Sequence, residues 1–209
     1  FTKSKTGTIS DNTITSGKDK GIAINSVKCK MTISGNTIKK CKAYPIYCNP
    51  ASTSYAITLK KNIITGNSKK IDGIRADSGK LILSSNTISS CSRAIILSSK
   101  VKGTVYPNTF KKNTYNNVKV NSSYVNTLTV KSLSGKSKSA KTATLNWKKL
   151  SSASGYVVYR SASKNGSYTK ISTIKKNKTI TYKDSKLKRK STYYYKIVPY
   201  TTIGKTTVY

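Results

Sequence analysis

The acidic inventory of this 209-residue chain is five aspartates; Glu and His are both absent. No imidazole is available as a general base, so a Ser-His-Asp triad and a His-ligated zinc site are excluded. Four cysteines, Cys29, Cys41, Cys48 and Cys91, fit no zinc spacing, and there is no Cys-x-x-Cys. The residues left for chemistry gather in short outward-facing pairs: Ala23 with Asn25, Tyr47 with Asn49, Arg75 with Asp77, and Ile96 with Ser98. Asp72 lies in the turn before Arg75. One or two acids are too few for a Ca²⁺ cluster. Asn25, Tyr47, Asn49, Arg75 and Asp77 are the candidate ligand-binding residues, with polar decoration of a solvent-facing surface the other reading of the same positions, and no catalytic residue, metal or cofactor is expected.

The elements that carry these pairs repeat. Ile9-Ser-Asp-Asn12-Thr-Ile14 recurs around Asn36, Asn62, Asn86 and Asn108, at spacings of 24, 26, 24 and 22. A second apolar pair follows each Asn: Ile22/Ile24, Ile46/Cys48, Ile74/Ala76, Ile95/Leu97 and Val118/Val120. Asn113 would leave too short a gap to Val118, so Asn108 is the fifth member. Short, β-branched, alternating segments are strands. A period near 24 with two or three such strands is a coil that buries its apolar face only by stacking on its neighbours. Stacked coils lie about 4.8 Å apart. That brings the outward pairs into columns and the five Asn side chains into an amide ladder with a structural role. Cys41 and Cys91 sit five residues after their ladder Asn, with Asn67 between them. Two coils of separation is about 9.6 Å, too far for a disulfide, so the thiols are expected free and buried.

The Ile-x-x-Asn-Thr-Ile and Gly-Ile-x-Ile pattern resembles the right-handed parallel β-helix of bacterial extracellular proteins, the pectate-lyase-like superfamily. The resemblance covers about residues 1–121 and implies the fold rather than an activity. In the enzymes of that group such a face binds polysaccharide, acids hold Ca²⁺ and an Arg or Lys abstracts a proton beside the uronate carboxylate. Here it implies Arg75 and Asp77 on a sugar-facing column without a metal cluster.

The Asn period fades near Asn121, and residues 126–209 are Tyr-rich. Strands are expected at 143–147, 155–160, 168–171, 179–182 and 193–197, with an Asn165-Gly166 turn. Trp147, and Leu187 six residues before Tyr193, resemble the core Trp and tyrosine corner of a bacterial fibronectin type III domain. The resemblance implies an antiparallel β-sandwich whose last strand is incomplete at Tyr209. The expected fold class is thus all-β, a parallel β-helix of about five coils at 1–121 followed by a sandwich at 126–209. The start at Phe1 suggests an internal piece of a longer chain.

Charge points to the partner. Forty Lys and Arg against five Asp give a net charge of +35. The lysines are spread through both halves and no nucleic-acid motif is present, so a specific nucleic acid is not expected. A polyanion held through counterion release is expected instead: an acidic polysaccharide or an anionic cell-envelope polymer. No apolar run reaches the roughly 18 residues of a membrane span. The reading is a secreted or cell-surface monomer that binds, or is displayed on, extracellular polysaccharide, with the second domain as spacer. Two alternatives stand beside it: the non-catalytic end of a polysaccharide lyase or glycoside hydrolase, and a structural stalk.

Overall fold

In the computed structural model, residues 6–50, 52–68, 70–126, 128–139, 141–185 and 187–209 are described. Every regular element among them is a strand. Five coils of three strands come first. They are β1 (Thr6–Ser10), β2 (Thr13–Thr15) and β3 (Ile22–Asn25); β4 (Lys30–Ser34), β5 (Thr37–Lys39) and β6 (Ile46–Asn49); β7 (Ala56–Lys60), β8 (Ile63–Thr65) and β9 (Ile74–Ala76). Then follow β10 (Gly79–Ser84), β11 (Thr87–Ser89) and β12 (Arg93–Leu97), and β13 (Val101–Val105), β14 (Thr109–Lys111) and β15 (Tyr115–Val120). The first, second and third strands of the coils form three parallel sheets. This is a β-solenoid of about five turns, a parallel β-helix.

The bends explain the sequence period. The residue before each of the first four ladder Asn side chains is left-handed: Asp11, Gly35, Lys61 and Ser85 have φ of 57°, 67°, 56° and 56°. Such single-residue corners cost an L-residue roughly 1–2 kcal/mol each and interrupt the sheet pairing. The Asn that follows repairs the interruption. Asn36 Oδ1 accepts from Asn12 Nδ2 at 3.0 Å and from the Asn12 backbone N at 3.0 Å. Asn62, Asn86 and Asn108 repeat the pattern on the coil beneath them in sequence, with amide–amide distances of 3.0, 2.9 and 2.9 Å. The second hydrogen of each inner amide reaches a backbone carbonyl: Ile9 for Asn36, Ile33 for Asn62 and Leu59 for Asn86. Asn36, Asn62 and Asn86 are fully buried. Asn113 has a separate place at the next bend: it accepts from Cys91 N at 2.9 Å and donates to Ile88 O.

Inside the coil the alternation runs through stacked columns. Ile22, Ile46, Ile74, Ile95 and Val118 are register partners, as are Ile24, Cys48, Ala76, Leu97 and Val120. All ten are buried; a buried Ile or Leu stabilises by about 1.5–3 kcal/mol. The four cysteines are free and buried. Gly66 comes close to Cys91: a Cβ on Gly66 would lie 2.9 Å from Cys91 Sγ.

The chain divides into two compact units, Phe1–Thr127 with Thr202–Tyr209, and Leu128–Thr201. In the first, β16 (Ser123–Asn126) turns back antiparallel on β15. The second unit contains β17 (Ser134–Ser139), β18 (Thr142–Asn146), β19 (Gly155–Ser161), β20 (Thr169–Ile174), β21 (Thr181–Asp184) and most of β22 (Tyr194–Ile203). Here β17, β18 and β21 pair antiparallel, as do β20, β19 and β22. Its core holds Leu145, Trp147, Ala153, Tyr156, Val158 and Ile197. Trp147 meets Tyr156 edge-on at 5.3 Å. The last strand, β23 (Thr206–Val208), falls in the first unit. It pairs parallel with β13, and Thr206 Oγ1 accepts from Gly103 N and donates to Val101 O. Gly103 permits this approach, since a Cβ there would meet Thr206 at 2.9 Å.

The ladder generates a stability prediction. Asn62→Ala removes the acceptor of Asn36 and leaves buried polar groups unpaired, so it should cost about 2–4 kcal/mol in urea unfolding. Asn12→Ala, at the exposed end, should cost less than half as much. Equal losses would deny the ladder its cooperative, buried character.

Candidate functional site

The third sheet of the solenoid carries its chemistry in three outward columns. Two residues before the first inward Ile stand Lys20, Tyr44, Asp72 and Arg93, with Tyr115 the register partner of Arg93. On the strand are Ala23, Tyr47, Arg75, Ile96 and Lys119, each the register partner of the next. At its end are Asn25 and Asn49, which are register partners, then Asp77 and Ser98. Period-two alternation produces this, because the inward neighbours are the buried Ile and Val columns.

The side chains interlock. Tyr47 OH donates to Asp77 Oδ2 at 2.9 Å, and Arg75 Nε donates to Asp77 Oδ1 at 3.0 Å. Arg75 also donates from an NH group to Tyr44 OH at 3.3 Å and lies 5.3 Å from the Tyr44 ring centre. Tyr44 and Tyr47 stack at 5.9 Å with an interplanar angle of 23°. Lys20, ion-paired to Asp19, sits over the other ring, 5.6 Å from Tyr47. One coil further, Arg93 lies 5.3 Å from the Tyr115 ring and 3.9 Å from Asp72. The Arg93 Nε has no hydrogen-bond partner among the described residues. Lys119 over Tyr124 at 5.5 Å ends the series.

Electrostatics separate this face from the rest of the chain. Asp19, Asp72 and Asp77 are three of the five acids, and Arg75 and Arg93 are two of only four arginines among 40 cations. Each acid here has a cationic neighbour, so the face is close to neutral against a lysine background. Burial pushes the Asp72 carboxyl above its usual value, although Arg93 and its backbone N–H pull it down. Burial also raises the Tyr47 phenol, aided by its bond to Asp77. Burial lowers Arg75, but Asp77 and Tyr44 more than offset it and hold its pKa above the usual range. The arrangement offers flat rings, fixed guanidinium planes and oriented carboxylates. That is a hydrogen-bonding and stacking surface.

Of the expected binding residues, Tyr47, Arg75 and Asp77 form one hydrogen-bonded group. Asn25 and Asn49 lie on the neighbouring column, exposed, where Ser78 Oγ donates to Asn49 Oδ1 at 2.8 Å. Sequence reasoning missed Tyr44, Arg93, Tyr115, Lys119 and Tyr124. Tyr44 and Arg93 carried a legible signal, since both stand two residues before an inward Ile, as Asp72 does.

Residues 1–142 match the family described as "Periplasmic copper-binding protein (NosD)". No curated protein matches. A solved Fn3-like protein from Clostridium thermocellum is 29% identical over 37% of this chain and 78% of its own, with a TM-score of 0.31.

The donors present do not fit copper. Copper sites use imidazole, or several converging thiolates and thioethers. This chain has no His, and no three Cys, His, Asp or Glu converge among the described residues. Burial pushes the Cys48 and Cys91 thiols up to about 12, which holds them protonated. The Cys41 thiol is raised by the same cause. Cys29 Sγ lies 3.6 Å from Met31 Sδ, but these are successive inward positions entering β4 and give only two donors. Native protein challenged with Cu(I) and a competing chelator should therefore retain well under one copper per chain. Its four thiols should stay unreactive at mildly alkaline pH and all titrate after unfolding. A stoichiometric copper lost on Cys29→Ser would contradict this. With more than half its length matched by the family model, the chain belongs to the NosD family.

Proposed function

We infer that this protein is an extracytoplasmic, non-catalytic binding module for an acidic polysaccharide or another anionic cell-envelope polymer. The observation that carries the reading is the third-sheet face. Tyr44, Tyr47, Arg75 and Asp77, and beside them Asp72, Arg93 and Tyr115, concentrate the chain's scarce acids and arginines among aromatic rings. Rings stack on the apolar faces of sugars, while Asp and Arg bond their hydroxyls. The remaining lysines supply a long-range field that gathers a polyanion and releases its counterions. The family's periplasmic description supports a location outside the cytoplasm, and no described helix is long and apolar enough to cross a membrane.

The second unit fits a fibronectin type III spacer. Tyr193 OH accepts from Lys188 N at 3.1 Å, in keeping with a tyrosine corner, and Trp147 sits in the core. The enzyme alternative gains nothing here. Asp72 and Asp77 are each occupied by an arginine and do not form a metal cluster.

Binding isotherms against polygalacturonate and a neutral glucan, at several salt concentrations, test the reading. Affinity for the polyanion should fall steeply with salt, because counterion release drives it. At about 0.5 M salt, where the Debye length is only a few ångströms, a remainder should persist. Tyr47→Ala or Arg75→Ala should weaken that remainder about five- to tenfold, the equivalent of about 1 kcal/mol of lost stacking and hydrogen bonding. Complete loss of binding at moderate salt, or indifference to both substitutions, would reduce the protein to a cationic scaffold. Preference for the neutral glucan would remove the electrostatic part.

A further inference from the structure

A second site lies in the other compact unit and is independent of the solenoid face. A cleft of about 440 Å³ opens between the β17–β18 hairpin and the segment leading into β22. The apolar part of its lining is Leu145, Ala143 and Leu187, with the Tyr195 ring. The Tyr195 hydroxyl is turned away to Asp184 at 2.9 Å. Tyr193 makes one wall, and its hydroxyl is committed to Lys188 N, so the ring is fixed in place. Lys136, Lys188 and Lys190 stand on the rim with the hydroxyls of Ser191 and Thr192.

No carboxylate is among the described residues lining this cleft. The sole acid of residues 128–201 is Asp184, which is 3% exposed and ion-paired to Arg160 at 3.0 Å. The rim potential is therefore positive without a local counter-charge. An inorganic anion would leave the apolar lining wet, and a neutral sugar would leave three ammonium groups without a partner. The volume is that of a small-molecule site. A compact ring with one apolar face, several hydroxyls and one carboxylate satisfies apolar lining, wall and rim together.

We propose that this cleft binds a single sugar acid, of the hexuronate type, with the ring against Tyr193 and Leu145 and the carboxylate among Lys136, Lys188 and Lys190. The site would give the chain a second hold on an acidic glycan, at a chain end or a side branch, and two linked contacts raise avidity without new affinity at either.

The test is titration of isotopically labelled full-length chain with galacturonate, glucose and sulfate, followed by amide shifts. Galacturonate should shift Leu145, Leu187 and Tyr193 saturably, and glucose and sulfate should do so at least about tenfold more weakly, since each lacks one half of the match. Lys188→Gln with Lys190→Gln, both exposed, should weaken galacturonate at least about fivefold with the fold intact, because charge-assisted bonds are lost. Tyr47→Ala should leave these shifts unchanged, which separates the cleft from the solenoid face. Absence of saturation, equal response to sulfate or glucose, or indifference to the double substitution would overturn the proposal.

Discussion

A solenoid coil must turn three times in about 24 residues without leaving its backbone amides unpaired, and the buried asparagine at the first bend is the device that allows it. A left-handed residue breaks the ladder of sheet hydrogen bonds. The Asn side chain then accepts from both the backbone N–H and the amide of the Asn one coil before it. Because each amide serves its neighbour, the bends stack in register and the apolar columns close behind them. Register in turn is what aligns the outward positions, since a slip of one residue would exchange the inner and outer faces.

The outward face is thereby free to carry chemistry, and the chain uses that freedom unevenly. Lysine makes up most of the cations and gives solubility and a field of one sign. Arginine is rare, and where it occurs in the solenoid it stands between a tyrosine and an aspartate. The same grouping appears in the second unit, where Arg160 pairs with Asp184, Tyr195 donates to the same carboxylate, and Arg160 lies 5.1 Å from the Tyr193 ring. There Asp184 is buried, and its bonds hold the Arg160 and Tyr195 side chains in place. On the solenoid Tyr44, Tyr47, Arg75 and Asp77 stay half-exposed, which leaves rings and polar edges for a ligand.

The repeat was readable because each Asn is needed at its bend and each inward Ile fills a column; both requirements leave a fixed spacing. Tyr47, Arg75 and Asp77 followed from alternation alone. Tyr44 and Arg93 did not: Tyr44 lies in the turn before β6, and Arg93 opens β12 where alternation breaks, with Ala94 and Ile95 both buried. The pairing of β23 with β13 was invisible for a different reason. It joins residues about a hundred apart, and its one mark in the sequence is Gly103, a small residue where a strand must come close.

The central claim is that glycan contacts the Tyr–Arg–Asp face of the third sheet and not merely the lysine field. Hydroxyl-radical footprinting of the full chain with polygalacturonate, at about 0.5 M salt where long-range attraction is screened, reads this tyrosine by tyrosine. Tyr44, Tyr47 and Tyr115 should be protected, while Tyr106, which stacks on Tyr209 away from this sheet, should react as in the free protein. Equal protection of all exposed tyrosines, or none at that salt, would contradict the account.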